Sequence, residues 1–183
     1  MPLPVRLLAV LLALSVGFAS ERSAAQAPAQ TMQVTSGVRY QLLGRWDVDK
    51  LNGILTNDMP TFAGIPVTFT PARNAVRLYR VTYPSVIPER GNRPTVATGL
   101  LAVPDDGGTS YPMVSYQHGT VYGKEQVPSF PEQSSETQLM LAQFAGQGYV
   151  LIGADYFGLG QSTEPEGFVV KACDLTETHD VLT

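Results

Sequence analysis

The feature that most limits what this chain can fold into is an uncharged apolar run, Tyr149-Val150-Leu151-Ile152-Gly153-Ala154, set directly behind a well-marked helix. The run has the length of a strand and is consistent with one buried on both faces. The helix ahead of it opens with Ser135-Glu136-Thr137-Gln138, the pattern of a capping box in which a Ser hydroxyl and a Gln amide satisfy orphan backbone donors. Met140, Leu141, Phe144 and Ala145 then recur on one face, and Gly146 and Gly148 supply C-terminal caps. Upstream, Val76 to Tyr83 alternates apolar and polar residues as a half-buried strand does. Pro84 to Pro94 reads as a loop, and Thr95 to Val103 as a second strand ended by Pro104-Asp105-Asp106-Gly107-Gly108. Met113 to Tyr116 is a short strand running into Gln117-His118-Gly119-Thr120, and downstream Phe168, Ala172, Leu175 and Leu182 fall at helical spacing. Strands leading into strand–loop–helix–strand–loop–helix predict an α/β sheet with helices on its faces. In such sheets the loops at the carboxyl ends of the strands build the site, and the loops at His118 and Asp155 stand at such ends.

Composition narrows the class. Of 183 residues, 44% are hydrophobic and 15% charged, which is globular rather than disordered. The net charge is -4 and no basic tract occurs, so a nucleic-acid partner has no electrostatic footprint. The single cysteine, Cys173, excludes an intramolecular disulfide and a CxxC metal site.

Three segments are expected. Residues 1–25 read as a signal peptide: Arg6, then the apolar run from Leu7 extended through Val16 and Phe18, then Ser23-Ala24-Ala25 as the cleavage pattern, with Gly17-Phe18-Ala19 as a second possible cut. The run is too short for a membrane-crossing helix, which needs about 20 residues, so the mature protein is expected to be secreted or periplasmic, without a stable membrane span. Residues 26–75 read as a lead-in. They carry turn signals at Asn52-Gly53, Asn57-Asp58 and Met59-Pro60, and Trp46, Leu51, Ile54 and Leu55 suit one short amphipathic helix that covers an edge of the fold. Residues 76–183 form the core, expected to be a partial one.

Two loops carry the chemistry. Gly119, just after a buried strand, lets the backbone turn sharply and frees the following N–H groups to point into a cleft, as a developing oxyanion needs. His118-Gly119 after one strand, with Asp155-Tyr156-x-Gly158-x-Gly160 after the next, resembles the α/β-hydrolase superfamily, most closely its secreted bacterial esterases and lipases; the match spans roughly Val76 to Ala172. The resemblance implies an oxyanion loop of His118, Gly119 and Thr120, with the Thr120 N–H as one donor and His118 as a loop-ordering residue rather than the catalytic base. The plain alternative is a satisfied strand-end histidine beside an ordinary turn. Asp155, Tyr156, Gly158 and Gly160 are expected to form a structural loop lining the cleft, with Asp155 accepting from local backbone N–H groups. A dinucleotide cradle competes weakly for Gly158-x-Gly160, because Thr163 stands where a third Gly or Ala is wanted and Pro165 delays the helix.

No cofactor and no metal are expected. Two histidines, His118 and His179, lack HExxH spacing, and Asp174, Glu177 and Asp180 read as a solvated helix face. Cys173, mid-helix beside Lys171, reads as an apolar filler. The superfamily resemblance also implies a Ser on a G-x-S-x-G turn, followed by Asp or Glu and then His. No G-x-S-x-G occurs here, and Ser162 lacks the second Gly. No catalytic triad residue is therefore placed in this chain. The nucleophile, acid and base are expected beyond Thr183, and the three threonines of Cys173 to Thr183 make a truncation or frame error near Cys173 a live explanation. The expected activity is hydrolysis of small-molecule or lipid esters through an acyl-enzyme, the chain alone being inactive. The alternatives are a non-catalytic remnant or secreted binding domain of the same fold, and a structural domain whose glycine loops are only turns.

Overall fold

The computed structural model describes residues 31–35, 37–58, 61–62, 65–166 and 180. The expected signal peptide, Cys173 and His179 lie outside them, as does the helix expected from Phe168 to Leu182 apart from Asp180, which is helical. In chain order come β1 (Thr31–Thr35), β2 (Val38–Trp46), α1 (Val48–Gly53) continued by a π-helical turn at Ile54–Asp58, and a small ladder of β3 (Thr61–Phe62) with β4 (Ile65–Pro66). Then follow β5 (Val76–Ile87), β6 (Arg93–Pro104), β7 (Met113–Tyr116), α2 (Ser135–Gln143) and β8 (Val150–Ala154).

Six strands form the main sheet, in the order β1-β2-β5-β6-β8-β7. Every neighbour pair is antiparallel except β7 with β8, which run parallel with Val114 opposite Leu151. Parallel neighbours need a crossover, and α2 lies in the one between β7 and β8. The apolar run Tyr149 to Ala154 is thus the interior strand β8, held between β6 and β7. β7, where Met113 is exposed, lies at the sheet margin beside it, and β1 at the opposite one.

The segment read as a lead-in contributes two strands, β1 and β2, to the main sheet. β2 pairs with β5 over Arg39↔Thr82 to Trp46↔Val76, with an irregularity between Leu42 and Gly44. Only Trp46 of β2 is buried, so the alternation that marks a strand in sequence is nearly absent there. The short helix is where Leu51, Ile54 and Leu55 put it, all three buried, though Trp46 belongs to the end of β2. Asp47 caps α1 by accepting from the Lys50 N–H at 2.8 Å.

The expected loop from Pro84 to Pro94 is mostly strand. β5 runs on to Ile87 and β6 begins at Arg93, with Ile87 opposite Arg93. Pro84 is tolerated because the pairing of β5 with β2 reaches only Thr82, so the missing N–H costs no ladder bond. The buried face of β5 also changes along its length: Val76 and Leu78 are buried on one face, Val81, Tyr83, Ser85 and Ile87 on the other. Val76 and Leu78 join Trp46, Leu51, Leu100, Leu141 and Leu151 in the main core beneath α1 and α2. Val81 and Tyr83 pack with Ala97 in a second cluster, and nearby Ser85 Oγ donates to Asp180 at 2.7 Å.

The capping box does not form as read. The N-cap is Ser134, one residue earlier, and its Oγ accepts from the Thr137 N–H at 3.3 Å. The Gln138 amide instead reaches forward of the helix to the carbonyls of Pro131 and Glu132, both at 3.1 Å. The helix ends at Gln143, and Gly148 closes the following 3-10 turn with φ +100°. Among the described residues no helix is long and apolar enough to cross a membrane.

Candidate active-site loops

Because β7 and β8 are parallel, the loops that follow them leave from the same end of the sheet. They meet through His118, which is 7% exposed. Its Nε2 lies 3.1 Å from the carbonyl oxygen of Asp155 and its Nδ1 2.8 Å from that of Gly119. The ring also stacks on Tyr156, with centroids 4.3 Å apart. Tyr156 takes φ +65°, a left-handed conformation unusual for a tyrosine, and so is fixed by its surroundings. A second tie is the Gly160 N–H donating to the Lys124 carbonyl at 2.8 Å, and a third is Lys124 Nζ to the Ser162 carbonyl at 2.5 Å.

The backbone of the first loop is sorted by direction. The Gly119 N–H points back to the Glu136 carboxylate on α2, at 3.0 Å to Oε2 and 3.3 Å to Oε1. Thr120 is exposed, and its N–H finds no acceptor among the described residues. Further along, Gln126 Oε1 accepts from the N–H groups of both Tyr122 and Gly123, at 3.1 and 3.0 Å, and the Tyr122 ring projects from this turn.

Asp155 is fully buried, and its donors are distant in sequence rather than local as expected. Oδ1 accepts from the Ser129 N–H at 2.8 Å and Oδ2 from Thr98 Oγ1 at 2.6 Å. Burial pushes its carboxyl above the usual carboxylate range, and the Ser129 and Thr98 hydrogen bonds oppose that shift without cancelling it. Ser129 is gripped from the other side by Arg80, whose Nη2 and Nε donate to its carbonyl at 2.8 and 3.2 Å. The guanidinium also lies 4.4 Å from the Phe130 ring centroid. Burial lowers the Arg80 pKa, against the pull of Asp155 and Glu125. Gly158 and Gly160 sit at φ +84° and +57°, the left-handed region that favours glycine. An added Cβ at Gly160 would also overlap Asp155 Oδ2.

Neither Ser162 as a nucleophile nor His118 as a base is set up. Ser162 is buried, and its Oγ accepts from the Glu164 N–H at 3.2 Å. His118 has a backbone carbonyl against each ring nitrogen, an arrangement for ordering two loops rather than taking a proton from a hydroxyl. Sequence reasoning missed Glu136, Ser129, Thr98 and Arg80. Only Glu136 carried a local mark, as an acid in the first turn of a helix.

No protein-family profile and no curated protein matches the sequence. Solved structures do match its shape. A Legionella pneumophila protein assigned to the hydrolases superposes with a TM-score of 0.67 at 25% identity, over 84% of this chain and 38% of its own. The rice cell wall degrading esterase LipA from Xanthomonas oryzae superposes with a TM-score of 0.62 in a ligand-bound form, at 22% identity, over 83% of this chain and 36% of its own. The fold is α/β-hydrolase-like. The chain spans little more than a third of the length of these neighbours.

Proposed function

We propose that this chain is the N-terminal part of a secreted or periplasmic serine hydrolase acting on carboxylic esters. Residues 1–25 would serve as its signal peptide and residues 76–183 as the first part of its catalytic core. The observation that carries the reading is the junction of the two strand-end loops, which leaves the Thr120 N–H without a partner among the described residues on a hydrolase-like fold. Thr120 would donate to the oxyanion as a serine oxygen adds to the ester carbonyl; the alcohol leaves, and water releases the acid from the acyl-enzyme. The serine, its base and the orienting acid would come from residues beyond Thr183, since no G-x-S-x-G lies within the 183. His118, Tyr156 and Asp155 would order the cleft without touching the reacting atoms.

The test is covalent labelling of the full-length gene product with a serine-directed fluorophosphonate, followed by assay on short p-nitrophenyl esters. Labelling at one serine beyond Thr183, with matching turnover, is the expected result. A full-length product that takes no label and hydrolyses no ester refutes the reading. It would favour a non-catalytic domain of the same fold. Residues 26–183 alone should be inert. In the active enzyme, Gly119→Val should lower kcat more than it raises KM, by on the order of 10²–10³, the loss seen when an oxyanion donor is removed.

A further inference from the structure

We propose that Glu136, on a different element from the loop it touches, is the positioning residue that aims the Thr120 N–H. The inference rests on the ester-hydrolase reading above and adds to it the device that sets the donor. Gly119 is held at both ends when His118 carries its proton on Nδ1: Glu136 takes the Gly119 N–H at 3.0 Å and His118 Nδ1, 2.8 Å from the Gly119 carbonyl oxygen, donates to it. In a trans peptide the N–H points opposite to the carbonyl of the same unit. No cis peptide occurs among the described residues, so turning the Gly119 carbonyl toward His118 aims the Thr120 N–H the other way. His118 can hold that second unit only if the first is already fixed, and a glycine between them has more backbone freedom than any other residue. Glu136 removes that freedom.

The carboxylate is well placed for the task. It stands in the first turn of α2, two residues after the N-cap Ser134, where the helix dipole favours an acidic side chain. By accepting the Gly119 N–H it also decides which loop donor is left for the cleft.

The experiment compares wild type, Glu136→Ala and Glu136→Gln in the full-length gene product. It reads kcat, KM and the pH profile on a p-nitrophenyl ester, together with the Gly119 amide proton shift and exchange rate. Gln keeps an acceptor oxygen and loses the charge. Complete loss of an oxyanion donor costs on the order of 10²–10³ in rate, so partial misaiming in Glu136→Ala should lower kcat about 10-fold with KM nearly unchanged. Its Gly119 amide should move upfield and exchange faster. Glu136→Gln should restore kcat to within about 3-fold of wild type and keep the acidic limb of the profile, since positioning needs an acceptor and not a proton. Glu136→Gln as slow as Glu136→Ala would overturn positioning in favour of proton transfer. A phosphonate-labelled wild type with an unchanged Glu136→Ala kcat would overturn this inference alone, while a wild type that takes neither label nor ester would overturn the hydrolase reading and this inference with it.

Discussion

Gly160→Ala tests whether the buried Asp155 carboxylate is as rigidly seated as its contacts imply. Two costs combine. Gly160 has φ +57°, and an L-residue held in the left-handed region costs about 1–2 kcal/mol. The new Cβ also overlaps Asp155 Oδ2, which accepts from Thr98 Oγ1 at 2.6 Å while Oδ1 accepts from the Ser129 N–H at 2.8 Å. The carboxylate cannot swing aside without breaking at least the Thr98 bond, and a hydrogen bond to a charged group is worth about 1.5–3 kcal/mol. The sum is roughly 2.5–5 kcal/mol, a large share of the ~5–15 kcal/mol that holds a typical domain. Gly91→Ala is the matched control: φ there is +68°, but nothing lies within 4 Å of an added Cβ, so only the backbone cost applies. Equilibrium urea unfolding of residues 26–183 can be followed through Trp46, the single tryptophan among them, which is buried. With a slope of about 1–3 kcal/mol per molar urea, Gly160→Ala should lower the midpoint by about 0.5–3 M beyond Gly91→Ala. Midpoints of the two variants within about 0.3 M of each other would refute the claim that Asp155 is locked in place.

Other outcomes follow from the same network. Arg80→Met leaves the buried Ser129 carbonyl unpaired and should cost about 2–3 kcal/mol in the same measurement, despite its similar length. Asp155 has its folded pKa raised by burial, so its contribution is fully present below the unfolded value of about 4 and is lost as pH rises through the folded one. The stability of wild type relative to Asp155→Asn, which mimics the neutral acid, should therefore fall as pH is raised above about 4; a rise would mean that the donors outweigh burial.

How legible the fold was depends on which interactions hold each part. β8, the first half of β5 and most of β6 are buried enough for their apolar patterns to show in sequence, and burial of that kind is written residue by residue, whereas β7, expected to be buried, lies at the sheet margin with only Tyr116 buried. β2 is a strand because β5 offers it a partner; its side chains alternate too weakly to announce it. The second half of β5 extends through Pro84 because its outer neighbour stops at Thr82, a fact about another strand. The helix start moved from Ser135 to Ser134 because both serines suit the local rule and only the path of the chain chooses between them.

The candidate site divides in the same way. His118-Gly119 and Asp155-x-x-Gly158-x-Gly160 were readable because sharp turns after strands demand glycine at particular positions, a local backbone requirement. What those loops touch was not readable. Thr98 lies 57 residues from Asp155, Ser129 lies 26 from it, and Arg80 lies 49 from Ser129. No local pattern marks such pairs, because a buried carboxylate selects its donors by position in space. The sequence determined the turns and the apolar strands, which depend on each residue's own backbone and surface. The tertiary structure alone decided the strand order and the polar partners, which depend on residues that meet only when the sheet is assembled.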